Sequence, residues 1–395
     1  MNGSSMNSFR KATRPKEEDF AGFSCNIPQL ITHRINQFNG FFFENKDSGS
    51  KINNGTIVCS METAKKEYAH LLQEKNIKDL SYFEEGIFIY VPKNAQIDLP
   101  LQILDVIKAE DSVLISSQSL IIVGENSKLK LICCDDTINN NVSKTENSLQ
   151  IFLEDNSSLE YYKMENINNH SSIFTETFFT LGENASLTTF WLSINGGNIK
   201  NKLNVSFEGE HSITELYGLY LVDRDQKVDN EISVKHNKPN CNSVQLYKGI
   251  LDDSAEADFK GYIHVGKNAY LTEAIQNNKN ILLTDKARVN TQPFLEIYND
   301  DVKCAHGATI GQLDESAMFY MRSRGITERS ARMLLMYAFC TEVLSKASLE
   351  ELKDRLQDII KRRLHGELST CENCVLLCNN PCETMDIDIT KLINT

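Results

Sequence analysis

A short pattern that keeps returning between residues 91 and 289 constrains the fold of this chain more than any other feature. It consists of a short apolar run, an acid or Gly, a polar pair, a small residue and an apolar residue. It reads Val123-Gly124-Glu125-Asn126-Ser127-Lys128-Leu129, then Leu153-Glu154-Asp155-Asn156-Ser157-Ser158-Leu159, then Leu181-Gly182-Glu183-Asn184-Ala185-Ser186-Leu187. Weaker copies are Phe207-Glu208-Gly209-Glu210-His211-Ser212-Ile213 and Val265-Gly266-Lys267-Asn268-Ala269-Tyr270-Leu271. Thr284-Asp285-Lys286-Ala287-Arg288-Val289 is a shortened copy, and Val91-Pro92-Lys93-Asn94-Ala95-Gln96-Ile97 fits as well.

Gly, Asn and Asp tolerate positive φ and end a strand in a tight turn. The β-branched and aromatic runs on either side read as strands. Ile151-Phe152-Leu153 and Ile281-Leu282-Leu283 are too short and too turn-bounded for helices. One such unit cannot bury its apolar face alone, whereas stacked units share a continuous core. The expected fold is therefore mainly β: a right-handed parallel β-helix over residues 89–311. An ordinary β-sandwich with repeated turns is the competing architecture.

The flanks read differently. Residues 62–76 are rich in helix formers, and Tyr68, Leu71 and Leu72 share a face, which predicts a small N-terminal α/β cap over residues 17–88. After Gly311 the apolar period becomes helical. Helices are expected over 314–324, stopped by Gly325, and from a Thr327 cap to Lys346 with a stripe of Leu335, Ala338, Phe339 and Val343. A third should start at a Ser348/Glu351 capping box and carry Leu349, Leu352, Leu356, Ile360 and Leu364 as far as Gly366. Together, residues 312–366 form a C-terminal α-helical module. Arg322, Arg324, Arg329 and Arg332, with Lys361, Arg362 and Arg363, are either a docking face for an acidic partner or a solvated surface.

The formal net charge of −13 over 395 residues repels phosphate backbones, so no nucleic-acid partner is expected. No apolar run reaches the roughly 18 residues that span a bilayer, so no membrane partner is expected either. Residues 1–16 carry Arg10, Lys11, Arg14 and Lys16 without an apolar stretch, which reads as a disordered basic tail or an organellar targeting remnant. Eleven Cys, an odd number, and no secretory signal point to a reducing compartment: cytoplasmic, or organellar if that segment is a targeting remnant.

The most informative stretch is Asp300-Asp301-Val302-Lys303-Cys304-Ala305-His306-Gly307-Ala308-Thr309-Ile310-Gly311, continuing Gln312-Leu313-Asp314-Glu315-Ser316-Ala317-Met318-Phe319-Tyr320-Met321-Arg322-Ser323-Arg324-Gly325-Ile326. With Gln245-Leu246-Tyr247-Lys248-Gly249-Ile250, Gln276-Asn277-Asn278-Lys279-Asn280 and Arg288-Val289-Asn290-Thr291-Gln292-Pro293-Phe294, it resembles the SufB/SufD family. The resemblance is strong over residues 243–339 and extends back to 87. The SufB paralogue carries Glu where Gly307 stands, so this chain looks like the other branch.

The resemblance implies a parallel β-helix scaffold that pairs with SufB through the β-helix and binds SufC, an ABC-type ATPase, through the C-terminal helices. A homodimer is the form open to the chain when alone. The expected contacts to the ATPase are Met318, Phe319, Tyr320, Arg322 and Arg324. The cargo is a transient iron–sulfur cluster or its iron at a subunit interface.

Cys304 and His306 are two residues apart, so on a strand they share a face. A thiolate and an imidazole there can both ligate iron. By spacing alone the pair reads equally as a core Cys and a satisfied His. The resemblance makes His306 the expected ligand and Cys304 its support. Two ligands do not complete a cluster site, so SufB would supply the others. Asp300 and Asp301 either tune local charge or are solvated turn carboxylates. His236, five residues before Cys241, permits a metal site but reads as a loop residue.

Cys371, Cys374, Cys378 and Cys382 place four thiols within twelve residues of the Cys-rich tail, 367–395. They read as a zinc or cluster site or as reduced thiols of a disordered tail. No phosphate loop and no nucleophile elbow occur, so catalysis is not expected and ATP hydrolysis falls to a partner. The rivals are a purely structural subunit without ligands and a β-helix carbohydrate-active enzyme.

Overall fold

The computed structural model describes residues 9–20, 23, 27–44, 52, 54–75 and 85–364. Within these the chain begins with strands β1 (Arg10–Lys11), β2 (His33–Phe38), β3 (Phe41–Phe43) and β4 (Ile57–Ser60), then helices α1 (Met61–Glu67) and α2 (Ala69–Glu74). Next come β5 (Ile87–Val91), β6 (Leu101–Ile107), β7 (Val113–Val123), β8 (Lys128–Thr137), β9 (Ser143–Leu153), β10 (Ser158–Asn166), β11 (Ser172–Leu181) and β12 (Ser186–Asn195). They continue through β13 (Asn198–Phe207), β14 (Ile213–Val222), β15 (Lys227–His236), β16 (Asn242–Leu251), β17 (Glu256–Val265), β18 (Thr272–Leu282), β19 (Arg288–Ile297) and β20 (Val302–Gly311). Helices α3 (Glu315–Ser323), α4 (Glu328–Leu344) and α5 (Glu350–Leu364) end the described chain.

From β5 onward the chain alternates between two sheets. Odd strands run in the order β19-β17-β15-β13-β11-β9-β7-β5-β4, even strands in the order β20-β18-β16-β14-β12-β10-β8-β6-β2-β3. Strands two apart in sequence pair in parallel, as in a parallel β-solenoid. Ser158 pairs with Lys128 on one side and Ser186 on the other, 30 and 28 residues away. Ser172 and Asn198 lie only 26 apart, Glu256 and Arg288 32 apart. The uneven spacing of the sequence repeat is this variation in coil length.

The repeated asparagines make the corners. Asn126, Asn156 and Asn184 have φ of 58°, 58° and 54°, a left-handed conformation that Asn adopts more readily than most residues. Their amides stack from coil to coil: Asn126 Nδ2 donates to Asn94 Oδ1 at 3.0 Å and Asn184 Nδ2 to Asn156 Oδ1 at 3.1 Å. Buried serines form a second ladder, with the Ala95 and Ala185 N–H groups donating to Ser127 Oγ and Ser212 Oγ at 2.9 Å. In the copy at 265–271 the left-handed residue is Leu271, not Asn268. The corners leading from even to odd strands use left-handed Arg224 and Asp253 in Val222-Asp223-Arg224-Asp225-Gln226 and Leu251-Asp252-Asp253-Ser254-Ala255, copies that the sequence pattern does not flag.

Inside, one column is Ile121, Ile151, Phe179, Val205, Val234 and Ile263, in register and buried. Each such burial stabilises by about 1.5–3 kcal/mol. Outside, the two sheets differ. The even sheet presents Tyr162, Phe190 and Tyr217, stacked with centroids 4.9 and 5.3 Å apart, and Met336, Cys340, Val343, Leu352, Leu356 and Ile360 of α4 and α5 share their cluster. Lys248, nearly buried, donates to Phe339 O at 2.8 Å and pairs with Glu342, pinning α4 to β16. The odd sheet presents charge pairs, such as Lys200–Asp229 at 3.1 Å, to solvent.

Several local expectations change. The helix expected over 62–76 is broken at Tyr68 (φ −121°, ψ 27°), giving α1 and α2, whose Met61, Ala64, Leu71 and Leu72 pack against Phe88, Leu120 and Ile122. On α4 the buried stripe is Ala331, Met333, Met336, Cys340, Val343 and Leu344; Leu335 and Phe339 are half-buried and Ala338 is exposed. Seating α4 on a flat sheet rotates its contact face. The Ser348 N–H goes to the Tyr162 phenol at 3.2 Å, where a capping box would give it to Glu351. Arg363 is no surface cation: it is buried, donating to Asp223 Oδ2 at 2.6 Å and Ile194 O at 2.9 Å.

Candidate functional site

Cys304 and His306 lie on β20, the last strand of the even sheet, whose partner in that sheet is β18. In register, Cys304 stands opposite Ala274 and His306 opposite Gln276. Their shared face continues the interior columns of the solenoid: Ala274 and Gln276 are fully buried, and Gln276 Nε2 donates to Gln245 Oε1 at 3.0 Å. One coil further on, no further coil among the described residues covers these columns. Cys304 is therefore half-buried, against a cluster of Ile263, Val265, Ala269 and Ala274, and His306 is exposed. Burial pushes the Cys304 thiol upward, with the backbone at Ala274 pulling against it, so the thiol stays protonated until a metal or a base takes its proton. Gly307 is tight: a Cβ there would lie 2.8 Å from Asn277 Oδ1.

The end that carries the pair is open. Among the described residues β19 and β20 each have a sheet partner on one side only, leaving two edges of backbone donors and acceptors. Pro293 removes one donor from the β19 edge, whereas β20 contains no Pro. Around this end Tyr270, Leu271, Ile275, Phe294, Ile297 and Ile310 are exposed. Leu271 sits at φ +55°, a conformation that strains a branched side chain, with its N–H donating to Asp301 O at 2.7 Å. Asp300 and Asp301 are exposed turn residues.

The expected ATPase contacts fall on α3, which buries no residue. Its start is held by Asp314, whose Oδ1 accepts from the Ser316 and Ala317 N–H groups, and Gly325 at φ +86° ends the segment. Phe319 is 76% and Tyr320 59% exposed, large apolar area for a surface helix. Met318 is half-buried; Arg322 pairs with Glu328 at 3.5 Å, and Arg324 lies over the Tyr320 ring at 5.2 Å.

His236 is not in a loop. It ends β15, is fully buried, stacks on Phe207 at 4.6 Å and shares a 2.9 Å hydrogen bond with Ser243 Oγ. Burial pushes its pKa down to about 3, so it is a neutral core residue. Cys241 Sγ contacts Gly209 O and Pro239 O instead. Among the described residues no three His, Cys, Asp or Glu side chains come together as a metal site. Cys371, Cys374, Cys378 and Cys382 lie outside the described residues. No helix among the described residues is long and apolar enough to cross a membrane.

Fold and site together define a parallel β-solenoid with helices on one face and a Cys–His pair at its open end. The family model described as the SUF system FeS cluster assembly, SufBD core domain, matches residues 106–339, and that of the SufBD protein N-terminal region matches residues 5–103. The chain belongs to the SufBD family. It is 35% identical to the iron–sulfur cluster assembly protein SufD of Escherichia coli over 53% of this chain and 50% of that protein. It is 27% identical to an iron–sulfur cluster assembly SufBD family protein of Synechocystis over 85% of this chain and 79% of that one. It is 25% identical to SufD of Bacillus subtilis over 78% and 74% of the two chains. The chain thus spans about half the length of its Escherichia coli relative in that match. The relatives named SufD support the SufD side of the family.

Proposed function

We propose that this protein is a scaffold subunit for iron–sulfur cluster assembly in the SUF system, joined to SufB at its open end and to the SufC ATPase on α3. The observation that carries this reading is the position of Cys304 and His306 on β20, a terminal strand with one free edge. Exposed apolar side chains beside an unpaired edge favour a protein partner. His306 would ligate the nascent cluster or its iron as cargo, and Cys304 would support it. Two side chains leave the coordination incomplete, so the partner strand would bring the rest. When SufB is absent, a second copy of this chain could cover the same edge.

Phe319, Tyr320, Arg322 and Arg324 suit a partner with an apolar pocket rimmed by acids. ATP hydrolysis would belong to that partner, and this chain would not be an enzyme. The family role suggests the cytoplasm as its place of work, and zinc on the Cys tail remains a proposal.

Replacing His306 by Ala in the reconstituted three-protein complex tests the ligand role. The complex should still assemble while cluster formation falls at least tenfold. Unchanged cluster formation in an intact complex would reject His306 as a ligand and leave a purely structural subunit. Phe319→Ala with Tyr320→Ala should abolish co-purification of the ATPase and leave the SufB contact; loss of SufB instead would reject the assignment of α3.

A further inference from the structure

Among the described residues, the odd-strand wall has an opening in its strand pairing near the first coils, narrowed by Gly40 beside Ile115 and by Glu85 O, which accepts from the Gln118 N–H at 2.8 Å. β5 pairs with β7 only over Leu120–Val123, and β1 meets β7 only at Val113 and Leu114. Between them, residues 115–119 of β7 have a strand neighbour only in β9. The chain enters β5 at Gly86, where a Cβ would lie 1.8 Å from Gln118 O, so this crossing admits nothing larger than glycine. A cavity of about 220 Å³ sits at the gap, lined by residues that include Ser116, Ser117, Gln118, Glu146, Asn147 and Glu176.

Deeper in lies a group of charges. Asp105 on β6, Asp135 on β8 and Glu165 on β10 are consecutive in register and all buried. Lys163 Nζ contacts Asp135 Oδ2 at 2.6 Å. Glu165 Oε2 accepts from Ser193 Oγ at 2.6 Å and Asn201 Nδ2 at 3.0 Å. Cys133 on β8, Tyr161 on β10 and Tyr247 on β16 are the other titratable side chains facing the group, and Ser117, Asn147 and Asn201 face it from the odd strands. Three carboxyls against one amine leave two charges uncompensated if all ionise in a medium that penalises charge.

Asn147 joins cavity and charges. It lines the cavity, accepts from Ser117 Oγ at 2.7 Å and hydrogen-bonds Asp105. Asp105 Oδ1 and Glu165 Oε1, on residues more than nine-tenths buried, have no hydrogen-bond partner among the described residues. Unpaired buried oxygens of this kind are normally met by water.

We propose that the opening is a port by which water and protons reach the buried carboxyls of the native protein, with Asn147 as its inner gate and Asp105 as the group that exchanges. On uptake, one proton passes from a hydronium in the cavity to Asp105 Oδ1, leaving water and a neutral carboxyl; release is the reverse. Burial, and then Asp135, push Asp105 up to about 7, so the exchange falls near neutral pH.

Trp191 reports on this directly. It is the chain's single tryptophan and stands beside Lys163 in register. The full chain is jumped from pH 5.5 to 8.5 in a stopped-flow instrument and its tryptophan emission followed. The change should finish within a second, vanish in Asp105→Asn and slow at least tenfold in Asn147→Leu. A change no faster than global unfolding, measured separately in urea, would overturn the port. So would a fast change that survives in Asp105→Asn, or one that Asn147→Leu leaves as fast. The wild-type comparison with the unfolding rate decides even where a variant fails to fold.

Discussion

The two ends of the solenoid begin from the same problem and solve it in opposite ways. A stack of coils exposes backbone edges and interior columns wherever it stops. At the N-terminal end, β3 turns back antiparallel on β2 and β4 runs antiparallel to β5. Phe38 and Phe43 are buried there with Phe20, and α1 and α2 cover the outer face of the first coil. At the C-terminal end, β19 and β20 stop without a cover among the described residues, and Phe294, Ile297 and Ile310 stay exposed. The first end is completed by the chain itself. The second has the character of half an interface, and the Cys–His pair sits there.

The sharpest test of this contrast is a matched pair of aromatic truncations. Phe88→Ala, in the closed end and fully buried, should lower stability by about 3–5 kcal/mol, read from urea unfolding. Equal losses for Phe88→Ala and Phe294→Ala would mean that the two ends are packed alike.

The closed body should also carry the pH dependence, with two slopes of opposite sign. His236 is held neutral with a pKa near 3, so its contribution is present above the ordinary histidine range of about 6.5 and is lost as pH falls. By pH 5 the loss should be about 2 kcal/mol. Asp105 and Glu165 are raised by burial, so the native state holds protons that the unfolded chain has released. Their stabilising protonation is complete below the ordinary carboxyl range and is lost as pH rises above it, for Asp105 as pH climbs toward 7. Relative to wild type, the urea midpoint of His236→Gln should fall further behind from pH 5 to about 6.5, and that of Asp105→Asn should gain from pH 5 to about 7, the Glu165 contribution being common to both. Parallel profiles for the two variants would contradict the assignment.

The corners differ by about 1–2 kcal/mol, the cost of a left-handed residue with a bulky side chain. Asn156→Ala in the body should lose about 1 kcal/mol, whereas Leu271→Gly at the open end should gain a similar amount. A gain that comes with weaker SufB binding would show that the strain at Leu271 holds the rim in its docking shape.

The smallest effect on stability, within about 0.5 kcal/mol, is expected for Ile310→Asp, a surface change at the open end. The same variant should weaken SufB pull-down at least tenfold. A variant that unfolds, or that still binds, would remove the open end as the interface.

Much of the fold is legible in the residues alone. The Asn-centred repeat carries its own geometry, because a left-handed corner residue and a period-2 apolar strand are local properties. The cap at Thr327 and the stop at Gly325 are legible for the same reason. In the second set of corners Arg224 escapes because arginine does not announce positive φ, and Asp253 because the residues around it depart from the Asn-centred pattern. Arg363 and Lys163 escape because a cation looks solvated until its partner, more than a hundred residues away or one coil below, is brought to it. His236 reads as a loop residue because Pro239 and Asn240 follow it, yet β15 runs on to include it.

By itself, then, the sequence determined that short strands would turn at regular intervals and that Cys304 and His306 would share a face. Only the tertiary structure decided that this face belongs to the last coil and not to an interior one. Burial depends on whether another coil stacks above, a fact about neighbours distant in the chain, and no local pattern encodes it. The same holds for the three carboxyls around Lys163, which are 30 residues apart in sequence from coil to coil and adjacent only because the coils are stacked in register.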